Sequence, residues 1–429
     1  MKVAILTMFA GLSTTYSLVN VVADQIKMLL EAQVELKILV SETCPDEERW
    51  GVFLDPRLEW VKITNTRGGT PIVWHDYSAP TGAVHETFYE EAEWIAKDYV
   101  RYLRDVDVCI MHDILYQGWH LVHNVAVRQA QKSLPKVRFL AFTHSIPVNR
   151  PQKMEWPFSA RFTPMPNTRF VYPTYSGIDA LARQYDVPQG NCAVVYNSLP
   201  LLEMLSQDVQ QVAERIDLLN ADILVVYPGR LTTGKRFEKV AALAGAIQRK
   251  TEQRTKVIFC DFPSADIPGQ IYKRTIQTEG MKFGLEKGDL LFTSDLGYEQ
   301  GFPRRGVFEL FGLSNLFICP SYSESFGLTV LEAASRGNFL VLNEAVPALK
   351  ELGDSLGAYF LRWDGRNFGY DTHEKYVPSE QAYYEEHGGV IVNLMREDHS
   401  LRAKTRVRTK YHGAWICRNQ LMPLLTGTV

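Results

Sequence analysis

Hydrophobic positions along the chain follow two alternating patterns. Residues 3–8 (VAILTM) are a short apolar run of the kind a parallel strand shows when both its faces are covered. Small residues follow at 11–15, and from 18 to 32 the apolar positions Val22, Ile26, Leu29 and Leu30 recur at helical spacing. Residues 36–40 read as a second strand, so the segment is a strand–loop–helix–strand unit, which implies a parallel sheet. Apolar runs recur at 106–111, 137–142, 170–172 and 193–196, between helical stretches such as 86–103 and 177–185. The first 200 residues are therefore expected to form one doubly wound domain.

The pattern then restarts. A polar helix over 202–220 leads into the strand 223–227, a glycine-containing loop and a helix over 237–249. Further strands are predicted at 257–260, 290–292, 316–319 and 339–342. The fold class is α/β: two Rossmann-like, doubly wound parallel-sheet domains facing across a cleft, with a hinge near 197–202. The expected boundaries are 1–200, 201–405 and a C-terminal segment 406–429 that crosses back to the first domain. In such sheets ligands sit at the carboxyl ends of the strands.

Composition narrows the picture only slightly. With 429 residues, 46% hydrophobic, 22% charged and a formal charge of −3, the chain is not disordered, fibrous or histone-like. Its six cysteines are scattered, without CxxC or zinc spacing, which fits free thiols and a cytoplasmic setting. No run approaches 18 apolar residues, so no integral membrane association is expected, and the apolar start reads as a buried strand rather than a signal peptide.

Two loops carry chemistry. Pro320-Ser-Tyr-Ser-Glu324-Ser-Phe-Gly-Leu-Thr-Val-Leu-Glu332 follows a strand and opens a short helix with Gly337 as its C-terminal cap. Glu324 sits in the loop and Glu332 about two turns along the helix, and eight residues at helical rise place their Cα atoms roughly 12 Å apart, about the span of a nucleotide-sugar from sugar ring to ribose. The N–H groups of Ser325, Phe326, Gly327 and Leu328 lie between them, free to hold phosphate oxygens. The plain alternative is that Glu324 compensates a helix dipole and Glu332 is a solvated side chain. In the other loop, Gly229-Arg230-Leu-Thr-Thr-Gly-Lys235 joins a strand to a helix. Its arginine fork and mobile ammonium suit a diphosphate, although an ordinary basic turn would look the same. The glycine spacing excludes a P-loop.

Gly229-Arg230, Lys235, Pro320-Ser321 and Glu324-x7-Glu332, together with the restart of the α/β pattern and the Val195-Tyr-Asn197-Ser hinge, resemble the retaining glycosyltransferases of the GT-B fold, in the large family-4 group (glycosyl transferases group 1). By that resemblance the first domain holds the acceptor and the second the nucleotide-sugar. Arg230 and Lys235 would bind the donor diphosphate, Glu332 the ribose, and Glu324 the hydroxyls of the transferred sugar. His144 matches the family's first-domain histidine that reaches the donor sugar. Gly11 matches the loop under the diphosphate, but the family's paired glycines are missing there, which leaves service to the acceptor as the alternative role of this loop. Arg304 and Arg305 fall where the family's nucleotide base rests. The nucleotide-diphosphate-sugar would be a co-substrate, and neither cofactor nor metal is expected.

Asp105-Val-Asp107 has the form of the metal motif of the other glycosyltransferase fold, but precedes a strand and reads as a turn. His112-Asp113 ends that strand and could touch the acceptor. Aromatic and basic residues mix at 60–77 (Lys62, Arg67, Trp74, His75) and at 150–170 (Arg150, Lys153, Trp156, Phe158, Arg161, Phe162, Arg169). Such interleaving is what base stacking with phosphate contacts requires, and also what loop packing or carbohydrate stacking produces. The tail is basic at every second position from Arg402 to Lys410, giving one ribbon as a strand but two faces as a helix.

The expected function is transfer of a sugar from a nucleotide-diphosphate-sugar to a hydroxyl acceptor, with retention and without metal. A hydroxymethylated DNA base is one acceptor, since Thr14-Thr15-Tyr16-Ser17 and Ser314-Asn315-Leu316 look similar to phage-type enzymes. The alternatives are a glycan- or lipid-directed transferase, a nucleotide-sugar epimerase, and a silent nucleotide-sugar-binding module of the same fold.

Overall fold

The computed structural model describes residues 1–67, 70–71, 75–79, 82–148, 154–265, 267–363, 366–367, 370–371 and 380–428. The chain divides into two compact units, Met1–Leu199 with Gly413–Val429, and Pro200–His412.

In the first unit the predicted strand–helix–strand start is β1 (Lys2–Leu6), α1 (Ser17–Glu31) and β2 (Glu35–Ser41). An outer strand β3 (Leu58–Ile63) and a two-residue pair, β4 (Thr66–Arg67) with β5 (Thr70–Pro71), follow. Then come α2 (Phe88–Leu103), β6 (Val108–His112), α3 (Leu121–Gln131), β7 (Arg138–Phe142), β8 (Thr168–Tyr172), α4 (Ile178–Tyr185) and β9 (Cys192–Val194). The sheet order is β3-β2-β1-β6-β7-β8-β9 and every pairing is parallel. Val3, Ile5, Val108 and Ile110 point into a core shared with α1, while Ala4, Leu6, Cys109 and Met111 face one shared with α2 and α3. That two-sided burial is why these strands read as unbroken apolar runs.

The second unit opens with α5 (Gln207–Arg215), shorter than the helix predicted over 202–220. Glu309 accepts hydrogen bonds from the Ser206 N–H and hydroxyl and fixes the entry to α5, while Ile216 turns extended and its side chain enters the core. The unit continues with β10 (Ile223–Arg230), α6 (Phe237–Thr251), β11 (Thr255–Phe262), α7 (Gly269–Phe283), β12 (Leu290–Phe292), α8 (Arg304–Leu313) and β13 (Leu316–Cys319). After these come α9 (Leu328–Ser335), β14 (Phe339–Asn343), α10 (Pro347–Leu356), β15 (Tyr359–Leu361), the small pair β16 (Arg366–Asn367) and β17 (Tyr370–Asp371), α11 (Glu380–Glu397) and α12 (His399–Lys410). Its main sheet runs β12-β11-β10-β13-β14-β15, again all parallel. The α6–α7 contact depends on glycine, because a Cβ on Gly245 would lie 2.8 Å from the Gly280 carbonyl oxygen.

Both sheets are doubly wound. The chain moves outward through three strands, returns to the middle, and moves outward the other way. The reversal falls between β1 and β6 in the first unit and between β10 and β13 in the second, leaving a crevice at the carboxyl ends of those strands.

The tail settles the basic alternation as a helix. In α12, Lys404 and Arg408 form one row: Lys404 donates to the Phe311 and Arg336 carbonyls, and the buried Arg408 to Leu218 and Ala221. Arg402, Arg406 and Lys410 form another row. The chain then rejoins the first unit through α13 (Gly413–Ile416) and α14 (Met422–Thr426). There the Tyr196 N–H donates to Gln420, and Arg138 holds the Leu424 and Leu425 carbonyls.

Candidate functional site

In the second unit, β10 ends at Arg230 and its neighbour β13 ends at Cys319, so both chemistry-bearing loops leave the sheet at its switch point. Lys235 Nζ lies 2.5 Å from Glu324 Oε1, with the carboxylate side chain only 14% exposed. Tyr227 holds the two loops together from beneath. Its buried hydroxyl donates to the Lys235 carbonyl at 2.9 Å and lies 3.3 Å from Ser321 Oγ. The Tyr322 N–H donates to the Gly234 carbonyl, and Asn343 Nδ2 to the Ser321 carbonyl. Burial pushes the Tyr227 phenol well up, so it remains a donor.

Arg230 is exposed and has no carboxylate partner among the described residues, while Gly229 precedes it in the strand. The next cation after Lys235, Arg236, was not singled out from sequence. It is buried at φ +54°, and its guanidinium lies 4.3 Å over the Tyr322 ring. A left-handed backbone is unfavourable for arginine, so this stack and the contact of Nε with Glu238 at 3.7 Å hold it there.

Glu324 lies in the loop, as expected, and helix α9 begins at Leu328 after Gly327 at φ +91°. Because residues 324–327 are not helical, the roughly 12 Å obtained from helical rise over all eight residues does not apply. Glu332 is the fifth residue of the helix. Ser325, Phe326 and Leu328 are exposed, and among the described residues the N–H groups of 325–328 have no acceptor. Gly327 is buried, and a Cβ there would meet Leu349, Leu352 and Val330 at 3.3 Å. Glu332 pairs with Arg304 at 3.0 Å. Arg305, the other base-side candidate, instead pairs with Glu309 on its own helix.

In the first unit, His144 lies just beyond β7 and stacks on His112, with Nε2 at 2.9 Å from His112 Nδ1. Its backbone N–H donates to Asp113 Oδ1 at 2.9 Å. Desolvation lowers His144 to about 4, and desolvation together with the neighbouring His144 ring holds His112 well below its usual value, so both rings are neutral at pH 7. Asp113, at φ +58°, is pushed up to about 6 by burial, against the opposing hydrogen bonds from His144 and Gln117. Gly11 sits over Glu48, whose carboxylate already accepts the Leu12 N–H at 2.9 Å. The loop therefore presents an acid where a diphosphate cradle would present free donors.

Several other sequence candidates are structural. Asp105 pairs with Lys2 and Lys37, and Asp107 accepts the Lys2 N–H. Phe158 and Phe162 are buried, and Arg161 spends its donors on the Tyr116, Tyr77 and Ser78 carbonyls, so these three serve packing, while Trp156 is exposed. Trp74, Arg150 and Lys153, and the side chain of Arg67, lie outside the described residues. Among the described residues no group of three His, Cys, Asp or Glu is placed to hold a metal, and no helix is long and apolar enough to cross a membrane. The six thiols are buried and unpaired.

Residues 210–354 match the family model for glycosyl transferases group 1. No curated protein matches the chain. Among solved structures it is similar to a glycosyltransferase from Rickettsia africae (13% identity, 100% of both chains, TM-score 0.36) and to Anabaena HepE in complex with UDP and glucose (12%, 100% of both, 0.36). A trehalose-6-phosphate protein from E. coli bound with UDP-2-fluoro glucose gives 12% identity, 100% of both chains and a TM-score of 0.35.

Proposed function

Starting from a second unit that carries the signature of glycosyl transferases group 1, we propose that this protein transfers a sugar from a nucleotide-diphosphate-sugar to a hydroxyl acceptor, with retention and without a metal. The observation that carries this reading is the Lys235–Glu324 pair at the switch point, with Arg230 and the free N–H groups of 325–328 on the same loops.

The chemistry follows from that arrangement. In the resting protein Glu324 neutralises Lys235. When donor binds, its diphosphate takes Lys235 over, and Glu324 turns to the hydroxyls of the transferred sugar. As the C1–O bond breaks, its electron pair goes to the diphosphate. Arg230, Lys235 and the N–H groups at the start of α9 stabilise that charge in place, with little reorganisation. The acceptor oxygen attacks the same face, and its proton passes to the leaving phosphate, so no paired-carboxylate machinery is needed. Glu332, aligned by Arg304, takes the ribose. In the first unit we assign Asp113 and His144 to hydroxyl groups rather than to phosphate, since an acid and a neutral imidazole supply no positive charge for a phosphate. A hydroxymethylated DNA base is the acceptor to test first.

The test is product analysis with a matched donor and hydroxymethylated DNA, with and without EDTA. An axial donor linkage retained in the product by NMR, at a rate EDTA does not change, is the expected result. An inverted linkage, or loss of rate with EDTA, would reject the mechanism. Turnover only with glycan or lipid hydroxyls would replace the acceptor.

A further inference from the structure

Far from that site, at the amino end of the same sheet, a cavity of about 340 Å3 opens between the starts of β10 and β13 and helices α11 and α12. Its floor is apolar and buried, formed by Ile223, Val392, Met395 and Leu401. Its rim is cationic: Arg396 from α11, and Arg402, Arg406 and Lys410 from α12. The α12 residues sit at i, i+4 and i+8, so they form one ridge rising ~6 Å per step.

The period-2 basic run of the sequence has thus separated into two functions. Lys404 and Arg408 fasten the helix to carbonyl oxygens, and burial drops the Lys404 amine to about 8. The other row faces the cavity. Arg396, Arg402 and Arg406 are exposed and have no carboxylate partner among the described residues; the nitrogen partner of Arg402 is His399 Nδ1 at 2.7 Å. The one acid lining the cavity, Asp222, is paired with Arg254 at 3.1 Å, and Asp398 caps the α12 N-terminus. Three cations around one concavity, none paired with a carboxylate among the described residues, make it a place of positive potential that favours an anion.

We propose that this groove binds the sugar–phosphate backbone of a nucleic acid, independently of sequence. A positive groove that tracks a backbone is the form such sites take. No aromatic side chain lines the cavity among the described residues, so it offers phosphate contacts without base stacking. A membrane surface fits less well, because the apolar lining is the buried floor rather than a face presented for insertion. The groove and the donor loops lie at opposite ends of β10 (Ile223–Arg230), so it acts as an anchor and not as the acceptor site.

The test is fluorescence anisotropy of the full chain with a labelled random-sequence duplex across a salt series. The comparison is Arg396→Gln/Arg402→Gln/Arg406→Gln. Wild type should bind with affinity falling as salt rises, and the variant should lose about 0.9 of logarithmic slope per cation removed and roughly tenfold or more in affinity. Nucleotide release from donor, read separately, should be unchanged. If the triple variant melts early, Arg406→Gln alone should lower the slope by about 0.9. No binding by wild type at low salt, an unchanged slope in the variants, or binding to anionic vesicles but not to the duplex would each overturn the proposal. Duplex binding without release from any donor would leave the groove standing and reject the transferase reading.

Discussion

Lys235 Nζ and Glu324 Oε1 lie 2.5 Å apart, although 89 residues separate them in the chain. Their loops leave adjacent strands, and Tyr227 ties both loops to the sheet. The pair puts a cation and a carboxylate at one point, each able to exchange its partner for part of a nucleotide-sugar.

If Lys235 acts chiefly on the departing diphosphate, Lys235→Ala should lower kcat by on the order of 10²–10³ with a smaller change in donor KM. Glu324→Gln should also slow turnover. Because the two side chains touch, the double variant should depart from additivity by about 0.5–3 kcal/mol. Steady-state kinetics on the four proteins measure this, and strict additivity would remove the pair from the mechanism.

Glu332→Ala should weaken binding of the free nucleotide roughly tenfold, the loss expected for one charged hydrogen bond. Arg304→Ala should weaken it less, since Arg304 only aligns the carboxylate and is itself largely exposed. Titration calorimetry decides, and wild-type affinity in Glu332→Ala would rule out the ribose contact.

Tyr227→Phe keeps the ring in the core but leaves the Lys235 carbonyl and Ser321 Oγ without their shared partner. We expect a loss of about 1–3 kcal/mol, a Tm lower by several degrees, and slower turnover from loosened loops. Scanning calorimetry showing an unchanged Tm would mean the two loops are held by other contacts.

Asp113 supplies a pH signature. Its folded-state pKa of about 6 lies above the ordinary 3.8, so the fold favours the protonated acid and loses stability as pH rises from about 4 to 6. His144, lowered to about 4 from 6.5, has the opposite effect and costs stability as pH falls through that window. Asp113→Asn keeps an oxygen for the His144 N–H and removes the buried charge. It should therefore raise stability at pH 7.5 by on the order of 3 kcal/mol, read as a higher Tm, and leave it unchanged below pH 4. With the opposing acid gone, stability should fall more steeply on acidification. Thermal melts between pH 4 and 8 test this, and a Tm difference independent of pH would contradict it.

The strands buried on both faces were legible because continuous apolar runs admit few other readings, and β12 and β13 fall at the predicted residues. Outer strand β3 was not read, because its half-exposed Glu59, Trp60 and Lys62 look like a loop with mixed aromatic and basic character. In the site, Arg230, Lys235, Glu324 and Glu332 stand out as charges in strand-end loops. Tyr227 and Asn343 do not, since each lies in a strand and acts through a contact distant in sequence. The distance between the two acids was not legible, because Gly327 at φ +91° turns the loop before α9 and helical rise does not extend back to Glu324. The alternating cations of α12 had no single reading until the helix sorted them into a row bound to carbonyls and a row around a cavity.

The central claim is most directly tested by measuring free nucleotide released from a panel of UDP-, GDP-, ADP- and TDP-sugars by the wild-type protein and by Lys235→Ala. Slow release from one donor, accelerated by a hydroxyl acceptor and lost in Lys235→Ala, is the predicted result. No release from any donor, with nucleotide still bound, would contradict it and make the protein a nucleotide-sugar-binding module.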